Sequence, residues 1–307
     1  MKSERFLVTI EGRDVELSNL DKLMYPAAGF TKGEVIDYYT RIAPVMLPHL
    51  RGRAATRIRF PNGVDDINFF EKNKPGGTPD WVRLETLPVP GSTKSRETIE
   101  FVVVDDLPTL VWLANLAALE LHTPQWRVGA EPDLLVVDLD PGAPAGLKEC
   151  CAVATLMRDR LGEDGIAAYP KTSGKKGMQL CCPISGTQDA EVVSAYAKRV
   201  AEELAAMVPS SITAKMAKAV RPGKIFIDWS QNAAAKTTVT PYSLRAGEKP
   251  TASAPLTWDE VIAMATGEAE ARQFGAGEVL ERVEEHGDLL VNLLRNGNVV
   301  PEPDRRD

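Results

Sequence analysis

The chain has 307 residues, a formal net charge of −7 and four cysteines. It is long enough to bury a substantial core in one large domain or two intimate ones. No apolar run approaches a membrane span, and MKSERFLVTIEGRDVELS carries no apolar signal core, so a cytoplasmic protein is expected. The cysteines form two adjacent pairs, Cys150–Cys151 and Cys181–Cys182, rather than C-x-x-C motifs. That pattern argues against zinc and structural disulfides and for buried reduced thiols.

The negative charge speaks against a nucleic-acid partner only on average. Residues 259–307 hold 12 acidic and 5 basic side chains, which accounts for the whole excess. Residues 168–249 carry 12 Lys/Arg against 6 acids, a local surplus suited to a polyanionic substrate.

In chain order, FLVTI predicts a strand, followed by a turn and a helix capped by Ser18 or Asn19 and stopped by Pro26. Thr31 caps a second helix, KGEVIDYYTRIAPVML, whose apolar residues recur at helical spacing. Lys22 and Lys32 then fall near helix beginnings, where backbone N–H groups favour an anion. ATRIRF is an alternating strand, and INFFEK follows its turn. Phe69 and Phe70 face opposite ways in an extended chain, so one ring is free to stack on a base beside Lys72 and Lys74; partial burial against a loop is the alternative. LPVPGSTKSRET reads as a polar loop and IEFVVVDD as a strand. LPTLVWLANLAALELH reads as a core helix whose C-terminal end carries His122, where capping competes with a phosphate or nucleotide contact.

The second half predicts strand LLVVDLD, helix 146–161, strand IAAYPKTS, turn GKKG, strand MQLCCPI, helix 189–207 and strand IFIDW: a mixed sheet with helices on one face. GEVLERVEEHGDLLVNLLRN reads as a tail helix, and PEPDRRD as a frayed end.

Three features of this half carry chemistry. In LLVVDLDP, strand alternation puts Asp138 and Asp140 on one face. Asp228 ends a second strand, and three carboxylates suit two hard divalent cations, Mg²⁺ or Mn²⁺. SGKKG sets Ser173, Lys175 and Lys176 in a Gly-flanked turn fit to cradle phosphates, although it lacks P-loop spacing. Arg221, Lys224, Lys236 and Arg245 bracket Asp228 and suit the charge that builds in phosphoryl transfer.

Taken in order, NLDKLMYP, FFEK, LELHTPQWR, VVDLDPG, KTSGKKG, FIDWSQN and KTTVTPYSLR make the chain resemble the archaeo-eukaryotic primase superfamily, closely the polymerase domain of bacterial ligase D and its stand-alone relatives, over residues 15–265. The resemblance implies an α/β (α+β) fold: an N-terminal α/β module at 1–130, a primase-polymerase core at 131–265, and an acidic helix and tail at 266–307. It implies a metal-binding, catalytic triad of Asp138, Asp140 and Asp228. It implies nucleotide contacts from His122, Ser173, Lys175, Lys176, Arg221, Gln231 and Arg245. Lys22 and Lys32 would hold a 5′-phosphate, with Phe69, Phe70 and Lys72 at the templating DNA.

The implied activity is DNA-dependent addition of one or a few nucleotides, with ribonucleotides preferred, to a 3′-OH at gaps or broken ends. It would use two Mn²⁺ or Mg²⁺ ions, NTP or dNTP, a DNA ligase and an end-binding protein as partners, and act at the nucleoid. The Met start and acidic tail favour a stand-alone enzyme over an excised domain. One departure is Gln179, where family members often carry histidine; it is expected to alter triphosphate affinity or metal dependence. Two rivals stand beside this reading. A D-x-D glycosyltransferase leaves Asp228 and FFEK without roles, and a non-catalytic DNA-end scaffold leaves three acids near DNA unneutralised.

Overall fold

The computed structural model describes residues 5–89 and 97–302. Most of the predicted polar loop at 87–98 and of the frayed end at 301–307 lies outside the described residues. The chain forms two compact units. The first comprises 1–124, 239–253 and 275–287; the second comprises 125–238, 254–274 and 288–307.

The first unit is built on an antiparallel sheet in which strand Ala54–Arg59 pairs with Thr98–Val103 on one side and Ala118–Thr123 on the other. Helix Lys32–Leu50 packs on helix Leu107–Asn115. Its start is a capping box: Thr31 accepts from the Glu34 N–H, and Glu34 accepts from the Thr31 N–H. Val35, Tyr38, Tyr39, Ile42 and Met46 are buried at helical spacing.

Three predicted helices differ. No helix begins at Ser18 or Asn19; Arg13–Ser18 is a strand paired with Arg5–Ile10, and Asn19, with φ +55°, turns the chain into strand Leu23–Tyr25. Lys22 is therefore not at a helix start, whereas Lys32 is the first residue of its helix. The helix from Leu107 stops at Asn115: Ala117 sits at φ +60°, and Ala118–Thr123 continues as a strand, so His122 stands on a strand and not at a helix end. The tail helix stops at His286, where Gly287 takes φ +67°, and only a short 3-10 turn, Val291–Leu294, follows.

The second unit holds a five-stranded mixed sheet in the order Tyr169–Thr172, Met178–Pro183, Leu134–Pro141, Ile225–Asp228, Ile212–Thr213, with all neighbours antiparallel except the last pair. Helices Leu147–Glu163 and Ala190–Met207 pack against it. Leu135, Val137 and Leu139 are buried on one face of the central strand, and the thiol of Cys150 donates to the Leu139 carbonyl. All four cysteines are buried as thiols rather than joined in disulfides. Where strand Ile225–Asp228 does not reach, the Asn232 side-chain amide closes the edge, accepting from the Val136 N–H and donating to its C=O at 2.8 Å each.

Close backbone approaches set two of the site-bearing segments. A Cβ at Gly177 would overlap the Leu139 carbonyl oxygen, and one at Gly142 would overlap the Arg221 carbonyl oxygen. Only glycine lets the SGKKG turn and the Arg221 segment lie against the central strand. Gly177→Ala is expected to cost about 1–3 kcal/mol by forcing these backbones apart. Gly162→Ala, at a helical position with open space beside it, should instead stabilise by about 0.5–1 kcal/mol. Urea unfolding midpoints of the two variants, at unchanged slope, check both signs.

Candidate active site

The central strand carries Asp138 and Asp140 on the face opposite Leu139, and its antiparallel neighbour brings Asp228 directly opposite Asp138. One oxygen from each of Asp138, Asp140 and Asp228 lies within 4.8 Å of the others. Hard carboxylate oxygens at this spacing, with neither thiolate nor imidazole among them, fit Mg²⁺ or Mn²⁺ and not a soft metal.

The electrostatics follow from this crowding. Burial raises Asp138 to about 7, with the Asp140 and Asp228 charges adding to the effect and the Gln179 hydrogen bond and the Lys171 charge opposing it. Asp140 is raised by burial and by Asp228, against the pull of Arg221. The neighbours are donors. Gln179 Nε2 donates to Asp138 Oδ1 at 2.9 Å; Ser230 donates to Asp228 Oδ1 from its hydroxyl at 2.6 Å and its N–H at 3.1 Å; Gln231 Nε2 donates to Asp228 Oδ2 at 2.8 Å. Gln231, expected at the nucleotide, is thus bonded to the triad itself. Arg221 stacks its guanidinium on the Phe226 ring, 3.6 Å from the centroid, and donates to the Met216 carbonyl.

The SGKKG turn is closed by Ser173 N–H to the Gly177 carbonyl at 3.0 Å and by Lys175 N–H to Ser173 Oγ at 3.2 Å, which leaves Lys175 and Lys176 exposed. Gln179 is 4% exposed and bonded to Asp138, so it meets the acidic cluster and not solvent. Lys171, Ser230 and the pairing role of Asn232 were not singled out from sequence, because strand register and side-chain partners are not encoded in spacing.

His122 and Arg245 lie in the first unit. Both meet one oxygen of Glu120, His122 Nε2 at 3.1 Å and Arg245 Nε at 3.2 Å, while the Ala246 N–H donates to the other oxygen. Glu120 is fully buried, two residues before His122 on the same strand face. Alternation within LELHT would have found that pair had the segment been read as a strand. Also in this unit, Lys22 donates to Asn62 Oδ1 at 2.9 Å. Lys32, 5% exposed, donates to the Ser18 carbonyl at 2.5 Å; burial and then the Lys22 charge lower it to about 8. Phe69 and Phe70 are both exposed, on strand Phe69–Glu71, rather than one of them alone; Lys72 follows them half-buried.

Comparison with known proteins places the chain in a family. Residues 31–290 match the family described as LigD, primase-polymerase domain. The chain is 42% identical to the multifunctional non-homologous end joining protein LigD of Mycolicibacterium smegmatis, over 94% of this chain and 39% of that one. It is 33% identical to the bifunctional LigD of Bacillus subtilis, over 92% and 44%. It therefore spans about two fifths of the length of these relatives. The solved polymerase domain of Mycobacterium tuberculosis ligase D in complex with DNA superposes with a TM-score of 0.85 at 40% identity, covering 92% of this chain and 98% of that domain. The chain belongs to the LigD primase-polymerase domain family, with the mixed α/β fold and the nucleotidyltransferase class of that family.

Proposed function

We propose that the chain adds one or a few nucleotides, preferring ribonucleotides, to a 3′-OH at short gaps or broken DNA ends that carry a 5′-phosphate. The observation that carries this reading is the cluster of Asp138, Asp140 and Asp228 on adjacent strands of a primase-polymerase fold. When bound, two Mn²⁺ or Mg²⁺ ions supply Lewis acidity to the primer hydroxyl and to the triphosphate. Asp138, Asp140 and Asp228 are the residues that hold them. Ser173, Lys175, Lys176 and Arg221 meet the triphosphate, since the turn offers exposed ammonium groups and Arg221 lies close enough to Asp140 to influence its charge. Gln231 orients Asp228 at the nucleotide side.

In the first unit His122 and Arg245, fixed by Glu120, contact the nucleotide. Phe69 and Phe70 offer exposed rings to template bases, with Lys72 beside them on the DNA backbone. Lys22 and Lys32 hold the 5′-phosphate, which would relieve their mutual repulsion. Because relatives that share this domain are named end-joining proteins, the chain acts in DNA repair with a DNA ligase and an end-binding protein, at the nucleoid in the cytoplasm. No helix among the described residues is long and apolar enough to cross a membrane.

Three outcomes test this reading. On a one-nucleotide gap with a 5′-phosphate, Asp138→Ala should slow extension by about 10²–10³-fold or more in Mg²⁺ or Mn²⁺, and wild type should use rNTP faster than dNTP. Identical rates for wild type and variant would sink the polymerase reading. Lys22→Ala, alone and with Lys32→Ala, should abolish stimulation by the 5′-phosphate while a plain primer–template is still extended. Because Lys32 titrates near 8, that stimulation should be full below this pH and decline above it as the ammonium loses its proton.

The third outcome concerns stability. Asp138 binds its proton more tightly in the native state, near 7, than in the unfolded chain, so its contribution to stability is full below about pH 4 and lost as pH rises through 7. In metal-free buffer, Asp138→Asn should therefore unfold several degrees above wild type at pH 8 and level with it near pH 4. Mn²⁺ should stabilise wild type more at pH 8 than at pH 6, and should leave the variant nearly unmoved. Thermal unfolding followed by circular dichroism reads all of these.

A further inference from the structure

Four side chains stand in one row across four neighbouring strands: Lys171 is opposite Gln179, Gln179 opposite Asp138, and Asp138 opposite Asp228. Residues directly opposite in antiparallel ladders project from the same face, so the row is a line of adjacent groups. Lys171 is 1% exposed, and its ammonium donates to Gln179 Oε1 at 2.6 Å; Gln179 in turn donates from Nε2 to Asp138 Oδ1 at 2.9 Å. We infer that Lys171 is a positioning residue that, acting through Gln179, fixes the orientation of the Asp138 carboxylate for the divalent cation. The inference rests on the reading of the triad as a metal site.

The chemistry of the groups dictates the polarity of the row. An ammonium only donates, so the amide must turn its oxygen to Lys171; its NH₂ is then the end left to face Asp138, and an ionised carboxylate only accepts. A flipped amide would set Oε1 against a carboxylate and NH₂ against an ammonium, two repulsive contacts in a buried place. Lysine in direct contact with Asp138 would occupy the same lone pairs and repel an incoming cation. With a neutral amide between them, the orienting effect is passed on while the positive charge stays one residue away. A neutral histidine in the place of Gln179 has the same pattern, acceptor on one nitrogen and donor on the other. The departure at position 179 therefore preserves the polarity of the row, and its effect falls on the metal-binding carboxylate.

The test uses the full chain and Mn²⁺ alone, with free ion followed by electron paramagnetic resonance and the metal-free unfolding midpoint measured alongside. Gln179→Leu and Lys171→Met should each weaken Mn²⁺ binding about tenfold or more. The double variant should lose less than the sum of the two single losses, because the hydrogen-bonded path from Lys171 to Asp138 runs through Gln179. Gln179→His should stay within about threefold of wild type, as expected of a side chain that keeps the donor–acceptor polarity. Should Lys171→Met fail to fold, Lys171→Gln takes its place with the same expected loss, since it stays polar without forcing the polarity of its neighbour. Wild-type affinity in Gln179→Leu or in the Lys171 variant, or additive losses in the double variant, overturns the inference while the metal reading survives. A wild-type chain that binds no Mn²⁺ overturns the metal reading itself and the inference with it.

Discussion

Three carboxylates held within 4.8 Å of one another, on the partly buried face of a sheet, are the constraint on which the second unit depends. Like charges at that separation cost several kcal/mol even at an effective dielectric constant of about 20. The fold keeps them together with donors: a glutamine on Asp138, a serine and a glutamine on Asp228, and an arginine whose charge reaches Asp140. Neutral donors predominate, and a site prepared this way orients oxygens without neutralising them. What the protein leaves unneutralised is what a divalent cation would supply, and Asp138 is raised first by burial and then by the Asp140 charge, both of which a bound cation would offset.

Precision in such a site comes from backbone rather than from side chains. The central strand is hydrogen-bonded on both edges, by Met178–Pro183 on one side and by Ile225–Asp228 with the Asn232 amide on the other. Gly177 and Gly142 then let the turn and the Arg221 segment approach to distances that any side chain would forbid. Helix Leu147–Glu163 supports the apolar face beneath. Each of the three acids therefore sits on or at the end of a strand whose position is fixed from several directions, which is how rigid elements hold reacting groups more closely than loops do.

The parts of this arrangement that were legible in the sequence are those governed by local periodicity. Alternation put Asp138 and Asp140 on one face and Asp228 at a strand end, and the Gly-flanked turn announced itself. Register was not legible: that Asp138 lies opposite Asp228 and Gln179 follows from pairing strands far apart in the chain, which no local pattern specifies. The overlong helix after Leu107 shows a different failure. An apolar run rich in leucine and alanine fits a buried helix and a buried strand alike, and the break is a single residue, Ala117, whose positive φ nothing in its chemistry favours. The tail helix carried its own stop signal, since Gly287 follows the last helical residue at positive φ, the usual place for glycine at a helix C-terminus.

The first unit presents the same electrostatic problem with the sign reversed. Lys32 is buried, its ammonium is held by an uncharged carbonyl, and the nearby Lys22 charge works with burial to lower it to about 8. Lys22 likewise donates to an uncharged amide oxygen. A carboxylate within reach of Lys32 would have satisfied this pair as Glu71 satisfies Arg59 in the same unit, and it would have left nothing for a ligand to gain. A buried cation held by neutral acceptors, like a buried acid held by neutral donors, is left with its charge only partly compensated. The two lysines differ in this respect: Lys22 stands near enough to Asp66 to hold that carboxyl down, whereas the Lys32 ammonium meets the uncharged carbonyl and hydroxyl of Ser18, so it is at Lys32 that burial and repulsion act together on a cation.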